Sequence, residues 1–250
     1  MATAIVIIPA RFGATRLPGK PLALLAGTPL ICHVAERAAR ARGVARVAVA
    51  TDDERIAAAA RGCGAEAVMT GPAATGTDRV AEAARALGPA DVVVNLQGDE
   101  PLIEPEAVEA LLAAMGDGAV EMATLSRTLE AGEWERPQVV KVVTDARGDA
   151  LYFSRASIPH RREGGVSALA RAHVGMYAFR AAFLQAFTRL PPGRLEREES
   201  LEQLRALEHG HRIRVVETRY RGFGVDTPED LERARALLAG ARSRGEEHTW

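Results

Sequence analysis

Residues Ile5–Pro21 read IVIIPARFGATRLPGKP, and this stretch decides the fold. It opens with four consecutive apolar residues, which predict a strand buried on both faces of a sheet, and Pro9 ends that strand. The loop that follows carries three cations, which are Arg11, Arg16 and Lys20. A loop rich in glycine, proline and positive charge is typical of a site that surrounds an anion with N–H groups and cationic side chains.

This loop matches neither of two familiar nucleotide-binding motifs. Gly13 and Gly19 are separated by five residues rather than the four of a P-loop, and Pro21 stands where that motif has its metal-binding hydroxyl. The GxGxxG dinucleotide motif is also absent. A solvated basic loop is the alternative interpretation, but cations that flank a Gly-Lys pair directly after a buried strand favour a triphosphate-binding loop.

The composition is that of a globular protein with nearly balanced charge. Of its 250 residues 47% are apolar, and 32 Lys+Arg against 33 Asp+Glu give a formal net charge of −1, which argues against a nucleic acid or a membrane surface as a partner. Cys32 and Cys63 fall in predicted helices, which suggests reduced thiols. Because the sequence has no membrane-span pattern and no signal pattern, we expect a cytoplasmic protein.

Strands and helices alternate through the first part of the chain. Further strands are predicted at Arg46–Ala50 and Ala67–Met69. Three helices are predicted: one with Thr28 as its cap and Pro29 as its first residue, an alanine-rich one that ends at Arg61, and one over Asp78–Leu87. This order predicts right-handed βαβ units with a parallel sheet, and therefore an α/β fold class.

The next strand ends in a second informative stretch. Val92–Val94 is apolar and continuous, and NLQGDEP follows at once over Asn95–Pro101. Ligands of doubly wound sheets lie beyond the carboxyl ends of the strands, so this loop and the loop after Ile8 should face the same crevice. Asp99 would be a reasonable ligand there for Mg²⁺ carried by a nucleoside triphosphate. A turn-forming Gly-Asp pair without metal is the alternative.

The pattern becomes antiparallel after the middle of the chain. Val139–Thr144 and Ala150–Ser154 predict a hairpin with a glycine-containing turn. We interpret residues 139–192 as a smaller lobe, for a second substrate and a dimer contact, inserted into a single domain over residues 1–240. Residues 241–250 form a polar tail.

The last third of the chain predicts two helices and a further acid. Leu195–Glu208 has the spacing of one amphipathic helix with an acidic face. Near the end, Thr227 and Asp230 form a capping pattern for the final helix. Asp226 precedes this cap and is not needed for it, so it is free to complete a site with Asp99.

Taken together, PARFGATRLPGKPL, NLQGDEP and GVDTPEDLERAR make the chain resemble the 3-deoxy-manno-octulosonate cytidylyltransferase (CMP-KDO synthetase) family. Supporting stretches are VKVVTDARGDALYFSRASIP, RAHVGMYAFR and LEREESLEQLR, and the resemblance runs from Met1 to about Leu238. It implies a three-layer, Rossmann-like nucleotidyltransferase fold, a homodimer and Mg²⁺. The implied activity is CMP transfer from CTP to the sugar acid KDO, for lipopolysaccharide synthesis.

The resemblance also implies roles for individual residues. The implied triphosphate loop and its catalytic cations comprise Arg11, Arg16 and Lys20. The implied metal-binding acids are Asp99 and Asp226. The implied cytidine-side residues are Thr75, Gly76, Thr77, Arg79 and Gln97, and Gln97 would also lie beside the sugar. The implied sugar-acid pocket comprises Arg155, His173, Tyr177, Glu199, Glu202 and Gln203.

Several interpretations stay open at the level of sequence. Arg155 or His173 could receive the sugar's carboxylate, and His173 could be a general base, although a histidine in a strand is more often structural. The chain departs from the family's usual residues at Ala14 and at Arg197–Glu198. A cytidylyltransferase for sialic acid or 8-amino-KDO, or a nucleotide-sensing domain without turnover, are the rival functions.

Overall fold

The computed structural model describes residues 3–13, 16–130 and 132–243. Its contacts divide the chain into two compact units. The first consists of Met1–Glu109 together with Gly222–Trp250, and the second consists of Ala110–Arg221. The predicted inserted lobe, residues 139–192, therefore lies within the second unit.

The first unit contains a parallel sheet. Its strands, in spatial order, are β5 (Glu66–Met69), β4 (Val44–Thr51), β1 (Ala4–Ala10) and β6 (Val92–Asn95). The β1 side chains from Ile5 to Ile8 are 0% exposed, as expected for a strand covered on both faces. The predicted parallel sheet and its alternation with helices are confirmed.

Helices connect these strands and complete the first unit. They are α1 (Leu30–Ala39), α2 (Glu54–Gly62), α3 (Gly76–Leu87), α8 (Pro228–Ser243) and the start of α4 (Pro105–Ala114). Asp53 caps α2 by accepting the N–H of Arg55 at 2.9 Å. Helix α8 includes residues 241–243 of the predicted polar tail, and the rest of that tail, residues 244–250, lies outside the described residues.

The predicted start of α1 is wrong by one residue. Pro29 occupies the cap position, and no side chain caps this helix start. Thr28 and Pro29 instead form a short strand, β3, which pairs in antiparallel fashion with β2 (Leu24–Leu25). The backbone of Thr28 is thereby extended and engaged in the ladder, so the helix begins at Leu30.

The second unit has a mixed sheet. Its strands are β7 (Met122–Thr128), β8 (Lys141–Thr144), β9 (Ala150–Ser154), β10 (Arg171–Arg180) and β11 (Ile213–Glu217). β11 pairs with β7 in parallel. The other pairings are antiparallel, and they join β7 to β10, β10 to β8, and β8 to β9. The β8–β9 hairpin that the sequence predicted is confirmed, with Gly148 at φ 83° in its turn.

The single helix predicted over Leu195–Glu208 is wrong. The second unit has α5 (Ala181–Phe187), α6 (Arg194–Glu199) and α7 (Leu204–Glu208), and Ser200, which follows α6 as its C-cap, has φ 52°. Glu208 folds back to accept the N–H groups of Arg194 and Leu195 at 2.8 and 3.0 Å. A continuous helix of this length would separate its ends by roughly 20 Å, so these bonds require the break.

The described residues also bear on the expectations for membrane-spanning helices and for the two cysteines. No helix within residues 3–13, 16–130 and 132–243 is long and apolar enough to cross a membrane. Cys32 is buried, Cys63 is partly buried, and neither forms a disulfide.

Candidate active site

A cleft of about 490 Å³ opens in the first unit beyond the carboxyl ends of β1 and β6. Its walls include the cationic residues Arg11, Arg16 and Lys20 and the acids Asp99 and Asp226. The sequence predicted that the loops after these two strands face one crevice, and the structure places them there. This is the position at which a doubly wound sheet binds its ligand.

Lys20 joins the two acids at the centre of this cleft. Its Nζ donates to Oδ2 of Asp99 at 2.8 Å and to Oδ1 of Asp226 at 3.1 Å. Arg16 donates through Nη2 to the other oxygen of Asp226 at 3.0 Å. Side chains from the beginning, middle and end of the chain therefore converge, as the sequence interpretation required.

The backbone before Lys20 is shaped by Gly19 and Phe12. Gly19 adopts φ 70°, and its N–H donates to the carbonyl oxygen of Phe12 at 3.0 Å. A Cβ on Gly19 would lie 3.1 Å from the Phe12 ring, so the glycine serves both the turn and the packing. The Arg55 guanidinium stacks over the Phe12 ring, 3.5 Å from the ring centroid. Phe12 and Arg55 were missed by the sequence analysis.

Gly98 allows the loop that carries Asp99 to pass close to β1. A Cβ at this position would lie 2.9 Å from the carbonyl oxygen of Pro9 and 3.3 Å from Ile8. The carbonyl oxygen of Asp99 also accepts the N–H of Val225 at 2.8 Å. Asp99 is thus fixed against the strand on one side and against the segment of Asp226 on the other.

The segment that carries Asp226 is held by acids at both ends. Glu100 accepts the N–H of Phe223 at 2.8 Å. The capping box that the sequence predicted for α8 is confirmed. The backbone N–H of Thr227 donates to the Asp230 carboxylate, and the backbone N–H of Asp230 donates to the Thr227 hydroxyl, both at 3.2 Å. Asp230 also accepts the N–H of Asp226 at 3.2 Å, which leaves the Asp226 carboxylate directed to Lys20 and Arg16.

Most of the residues predicted to bind cytidine lie along the same cleft. Those that line it are Thr75, Gly76, Arg79 and Gln97. Thr75 and Asp78 form a capping box at the start of α3. Arg79 is 5% exposed and donates to Asp52 at 2.7 Å and to Thr70. Thr77 is buried and accepts from Asn95 at 3.2 Å, so it supports the wall from behind.

The predicted sugar-side residues lie in the second unit, on β10, at the end of β9 and around α6 and α7. Glu199 accepts from the hydroxyl of Ser154 and from the N–H of Arg155, the latter at 2.9 Å. The Arg155 guanidinium donates to the carbonyl oxygens of Pro137, Glu199 and Ser200 at 2.7–3.2 Å. Its charge is oriented by carbonyls, and within the described ranges no carboxylate pairs with that guanidinium.

Lys141 is a buried residue that stabilises the end of β9 next to Arg155, and the sequence analysis missed it. It is 0% exposed, and its Nζ donates to the carbonyl oxygens of Arg136, Val139 and Arg155 at 2.6–2.9 Å. Burial lowers the pKa of Lys141, and the neighbouring Glu199 opposes that effect. The residue ties the start of β8 to the end of β9.

His173 and Tyr177 lie on β10 with their rings 5.6 Å apart. His173 Nε2 is 2.9 Å from the Thr124 hydroxyl, and its ring is 4.9 Å from that of Phe153. Desolvation lowers the pKa of His173 to about 3, so the imidazole is neutral at physiological pH. Desolvation raises the pKa of Tyr177, with a smaller contribution from Glu202.

Gln203 offers an unused donor near the break between α6 and α7. The residue is 3% exposed, and within the described part of the chain its Nε2 has no hydrogen-bond partner. A buried amide donor without an acceptor is costly unless a ligand completes it. Glu202, also predicted for the sugar side, lies 3.8 Å from the Arg205 guanidinium.

The donor set of the cleft fits a magnesium ion better than a transition metal. Among the described residues no group of three or more His, Cys, Asp or Glu side chains could hold a metal ion. Mg²⁺ differs because it is commonly bound by one or two carboxylates together with water and substrate phosphates. Asp99 and Asp226, both in contact with Lys20, match that requirement.

The parallel sheet, the cationic loop after β1 and the paired acids define an α/β protein of the nucleotidyltransferase class. A family model described as Cytidylyltransferase matches residues 5–213. The chain belongs to the cytidylyltransferase family, in the group of 3-deoxy-manno-octulosonate cytidylyltransferases. The predicted family, enzyme class and α/β fold are confirmed.

Named relatives and a solved structure support this membership. The 3-deoxy-manno-octulosonate cytidylyltransferase of Anaeromyxobacter sp. (strain Fw109-5) is 78% identical over 240 residues, covering 96% of this chain and 98% of its own. The enzyme of that name from Nitratidesulfovibrio vulgaris (strain Hildenborough) is 52% identical over 232 residues, covering 90% and 92%. A CMP:2-keto-3-deoxy-manno-octonic acid synthetase solved in complex with CTP is 47% identical, with a TM-score of 0.90 and coverage of 96% and 99%.

Proposed function

We propose that this chain transfers CMP from CTP to the anomeric hydroxyl of KDO and releases pyrophosphate. The observation that carries the proposal is the convergence of Lys20, Asp99 and Asp226 in one cleft beside Arg16. Membership of the 3-deoxy-manno-octulosonate cytidylyltransferases supplies the identity of the sugar.

The reaction brings two anions together, and the cleft offers the cations to offset their repulsion. The anomeric hydroxyl loses its proton to solvent and its oxygen forms a bond to the α-phosphorus, while the bond from that phosphorus to the bridging oxygen of the β-phosphate breaks. Negative charge builds on the departing pyrophosphate. We assign Arg11, Arg16 and Lys20 to the triphosphate, where positioned cations stabilise this charge as it develops.

The base of the nucleotide is assigned to the wall formed by the start of α3. Thr75, Gly76, Arg79 and Gln97 line this wall, and the paired side chains of Arg79 and Asp52 keep it rigid. A rigid, polar wall can select a base by the fit of its hydrogen-bonding edge. Thr77 contributes through its bond with Asn95.

Asp99 and Asp226 are the residues that would hold Mg²⁺. When bound, this ion supplies Lewis-acid charge to phosphate oxygens and lowers the pKa of a coordinated hydroxyl. The protein's own contribution is to hold both carboxylates next to each other, since the Lys20 ammonium contacts them at 2.8 and 3.1 Å.

The second unit supplies the residues that we assign to the sugar acid. Arg155 is suited to receive the carboxylate, because its bonds to carbonyl oxygens leave N–H donors of the guanidinium for a further acceptor. Gln203 can donate its free Nε2 hydrogens to sugar hydroxyls. Glu199, Glu202 and Tyr177 complete the assigned set.

His173 is better suited to hydrogen bonding than to general-base catalysis. A base with a pKa of about 3 has little affinity for a proton at physiological pH. Its neutral ring, oriented by the Thr124 hydroxyl, can instead position a hydroxyl of the sugar. The low pKa therefore argues against His173 as the general base, which was one of the alternatives that the sequence left open.

Pyrophosphate release in the full-length protein tests the proposal. We expect release that requires CTP, Mg²⁺ and KDO together and that is lost in Asp99→Ala and Asp226→Ala. Glu229→Ala is the matched control, because this exposed acid lies three residues from Asp226 on the first turn of α8. Release without sugar, or full activity in both variants, would overturn the assignment.

The same assay separates the rival functions. KDO, sialic acid and 8-amino-KDO are compared at equal concentrations, and the largest kcat/KM for KDO is the expected result. A preference for either of the other sugars would replace the proposed substrate. CTP binding without pyrophosphate release for any sugar acid would indicate a nucleotide-sensing domain.

We also propose that the protein acts as a cytoplasmic homodimer that supplies activated KDO for lipopolysaccharide. Support comes from the family resemblance and from the use of CTP as substrate. Light scattering of the purified chain tests the dimer, since a mass near twice 26.7 kDa is expected. A mass near 26.7 kDa would contradict it.

A further inference from the structure

The Lys20 ammonium is bound to the same carboxylates that we assign to the metal ion. Its Nζ contacts Asp99 at 2.8 Å and Asp226 at 3.1 Å, and 14% of the Lys20 side chain is exposed. Charge-assisted bonds in a partly desolvated cleft are stronger than ion pairs on an open surface. A divalent cation that binds these carboxylate oxygens must therefore compete with the Lys20 ammonium for them.

We propose that Lys20 and the divalent metal ion compete for Asp99 and Asp226, so that tight metal binding requires a triphosphate to draw the ammonium away first. This inference rests on the proposed function, because it takes the two acids as metal ligands. It assigns Lys20 a second role besides contacting phosphate, which is to set the order in which nucleotide and metal bind.

Electrostatics explain why the two cations exclude each other. An ammonium and a divalent ion in contact with the same oxygens would repel each other strongly at that separation. Arg16, 3.0 Å from Asp226, adds further positive charge on this side. Without another anion nearby, metal binding must break the contacts of Lys20 and leave its charge uncompensated.

A triphosphate removes this obstacle in two ways. Its oxygens offer the Lys20 ammonium a new partner in the same cleft, and they offer the metal ion further ligands. The carboxylates released by Lys20 then become available. Nucleotide binding should therefore precede metal binding to the protein or accompany it.

Arg11 provides a matched control for the competition. It lines the same cleft and carries the same charge as Lys20. Within the described residues no ion pair joins Arg11 to Asp99 or Asp226. A general effect of positive charge on metal affinity should therefore appear in Arg11→Met, whereas competition for the oxygens should appear in Lys20→Met.

The test is a titration of the full-length protein with Mn²⁺ in the absence of nucleotide, with free Mn²⁺ measured by electron paramagnetic resonance. We expect Lys20→Met to bind Mn²⁺ about tenfold more tightly than the wild type, which corresponds to about 1.4 kcal/mol. Arg11→Met and the charge-preserving Lys20→Arg should stay within about twofold of the wild type.

Two further variants keep the result interpretable. Lys20→Gln repeats the test if Lys20→Met loses its folded circular dichroism spectrum. Adding Asp99→Asn to the Lys20 variant should abolish the gain, because the gained site uses that carboxylate. No gain in a folded Lys20 variant, an equal gain in Arg11→Met, or a gain that survives Asp99→Asn would each overturn the proposal.

The titration is independent of turnover. It contains neither CTP nor sugar, so a failure of CMP transfer would leave its outcome unchanged. Conversely, if the wild type transfers CMP but Lys20→Met binds Mn²⁺ no more tightly than the wild type, the competition is refuted and the proposed function stands.

Discussion

Arg155 and Glu199 are joined by a reciprocal pair of hydrogen bonds. The backbone N–H of Arg155 donates to Oε2 of Glu199 at 2.9 Å, and Nε of Arg155 donates to the carbonyl oxygen of Glu199 at 2.7 Å. The end of α6 thus holds the end of β9. The direction of the Arg155 guanidinium depends on a residue that the sequence placed in the middle of a longer helix.

Glu199→Gln should weaken binding of the sugar acid. A neutral amide is a poorer acceptor for the backbone N–H of Arg155 and the hydroxyl of Ser154, so the end of α6 is held less firmly to the end of β9. The carbonyl oxygens of Glu199 and Ser200, which orient the Arg155 guanidinium, then shift with α6. We expect the KM for KDO to rise about tenfold, with a smaller effect on the KM for CTP. Steady-state kinetics on both substrates measures this. Glu198→Gln, on the exposed neighbour, should resemble the wild type, and an unchanged KM in Glu199→Gln would contradict the assignment.

Gly98→Ala should reduce CTP binding. The added methyl group would meet the carbonyl oxygen of Pro9 at 2.9 Å, and backbone atoms cannot retreat as a flexible side chain can. The loop must shift, and Asp99 moves away from Lys20. We expect a rise of about tenfold in the Kd for CTP, measured by calorimetry.

The control for this change is Gly224→Ala. A Cβ at Gly224 has no atom within 4 Å among the described residues, and the position lies two residues before Asp226. Its Kd for CTP should remain close to that of the wild type. Similar losses in both variants would mean that the close approach at Gly98 is not the cause.

Lys141→Met should destabilise the protein. The carbonyl oxygens of Arg136, Val139 and Arg155 would lose their buried donor, and desolvated acceptors left without partners are costly. We expect the free energy of unfolding to fall by about 3 kcal/mol in chemical denaturation. Arg147→Met, on the exposed turn of the same hairpin, should change it by less than about 0.5 kcal/mol. Equal stability of the two variants would refute this role of Lys141.

His173 should make the protein less stable as the pH falls. Its pKa is about 3 in the folded protein and 6.5 in the unfolded chain, so the unfolded chain binds the proton first. The stability associated with the neutral ring is complete above about pH 6.5 and is lost progressively toward about pH 3.

Comparison with His173→Gln isolates this effect. The free energy of unfolding of both proteins is measured by denaturation between pH 7 and pH 4. The wild type should lose more stability than the variant over this range, because the carboxylates that titrate there are common to both. Parallel pH profiles would show that His173 titrates alike in the folded and unfolded states.

Much of the first unit could be predicted because its signals are local. The apolar run Ile5–Ile8 marks a buried strand, and Val92–Val94 marks a second one. The expected end of the first strand at Pro9 is wrong, because β1 continues through Pro9 to Ala10 in register with β4. Parallel strands bring their carboxyl ends to one edge of a sheet. The pairing of Asp99 with Asp226 around Lys20 follows from this rule together with the cap at Thr227.

The parts that were missed depend on contacts between distant residues. The break at Ser200 requires Glu208 to reach back to the N–H groups at the start of α6, and the leucine spacing around it still favours one helix. The aromatic stack of Phe12 with Arg55 and the carbonyl cluster around Lys141 leave no spacing pattern in the sequence. Tertiary contacts of this kind override local propensity.

The first unit is assembled from two stretches of chain that the whole second unit separates in sequence. A ribosome delivers the polypeptide from its N-terminus, so β1, β4, β5 and β6 can emerge and pair long before Asp226 has been translated. During that interval Lys20 has Asp99 as a partner but not the second acid. The acid pair is therefore the last part of the cleft to be built, which ties the maturation of the catalytic centre to completion of the nascent chain.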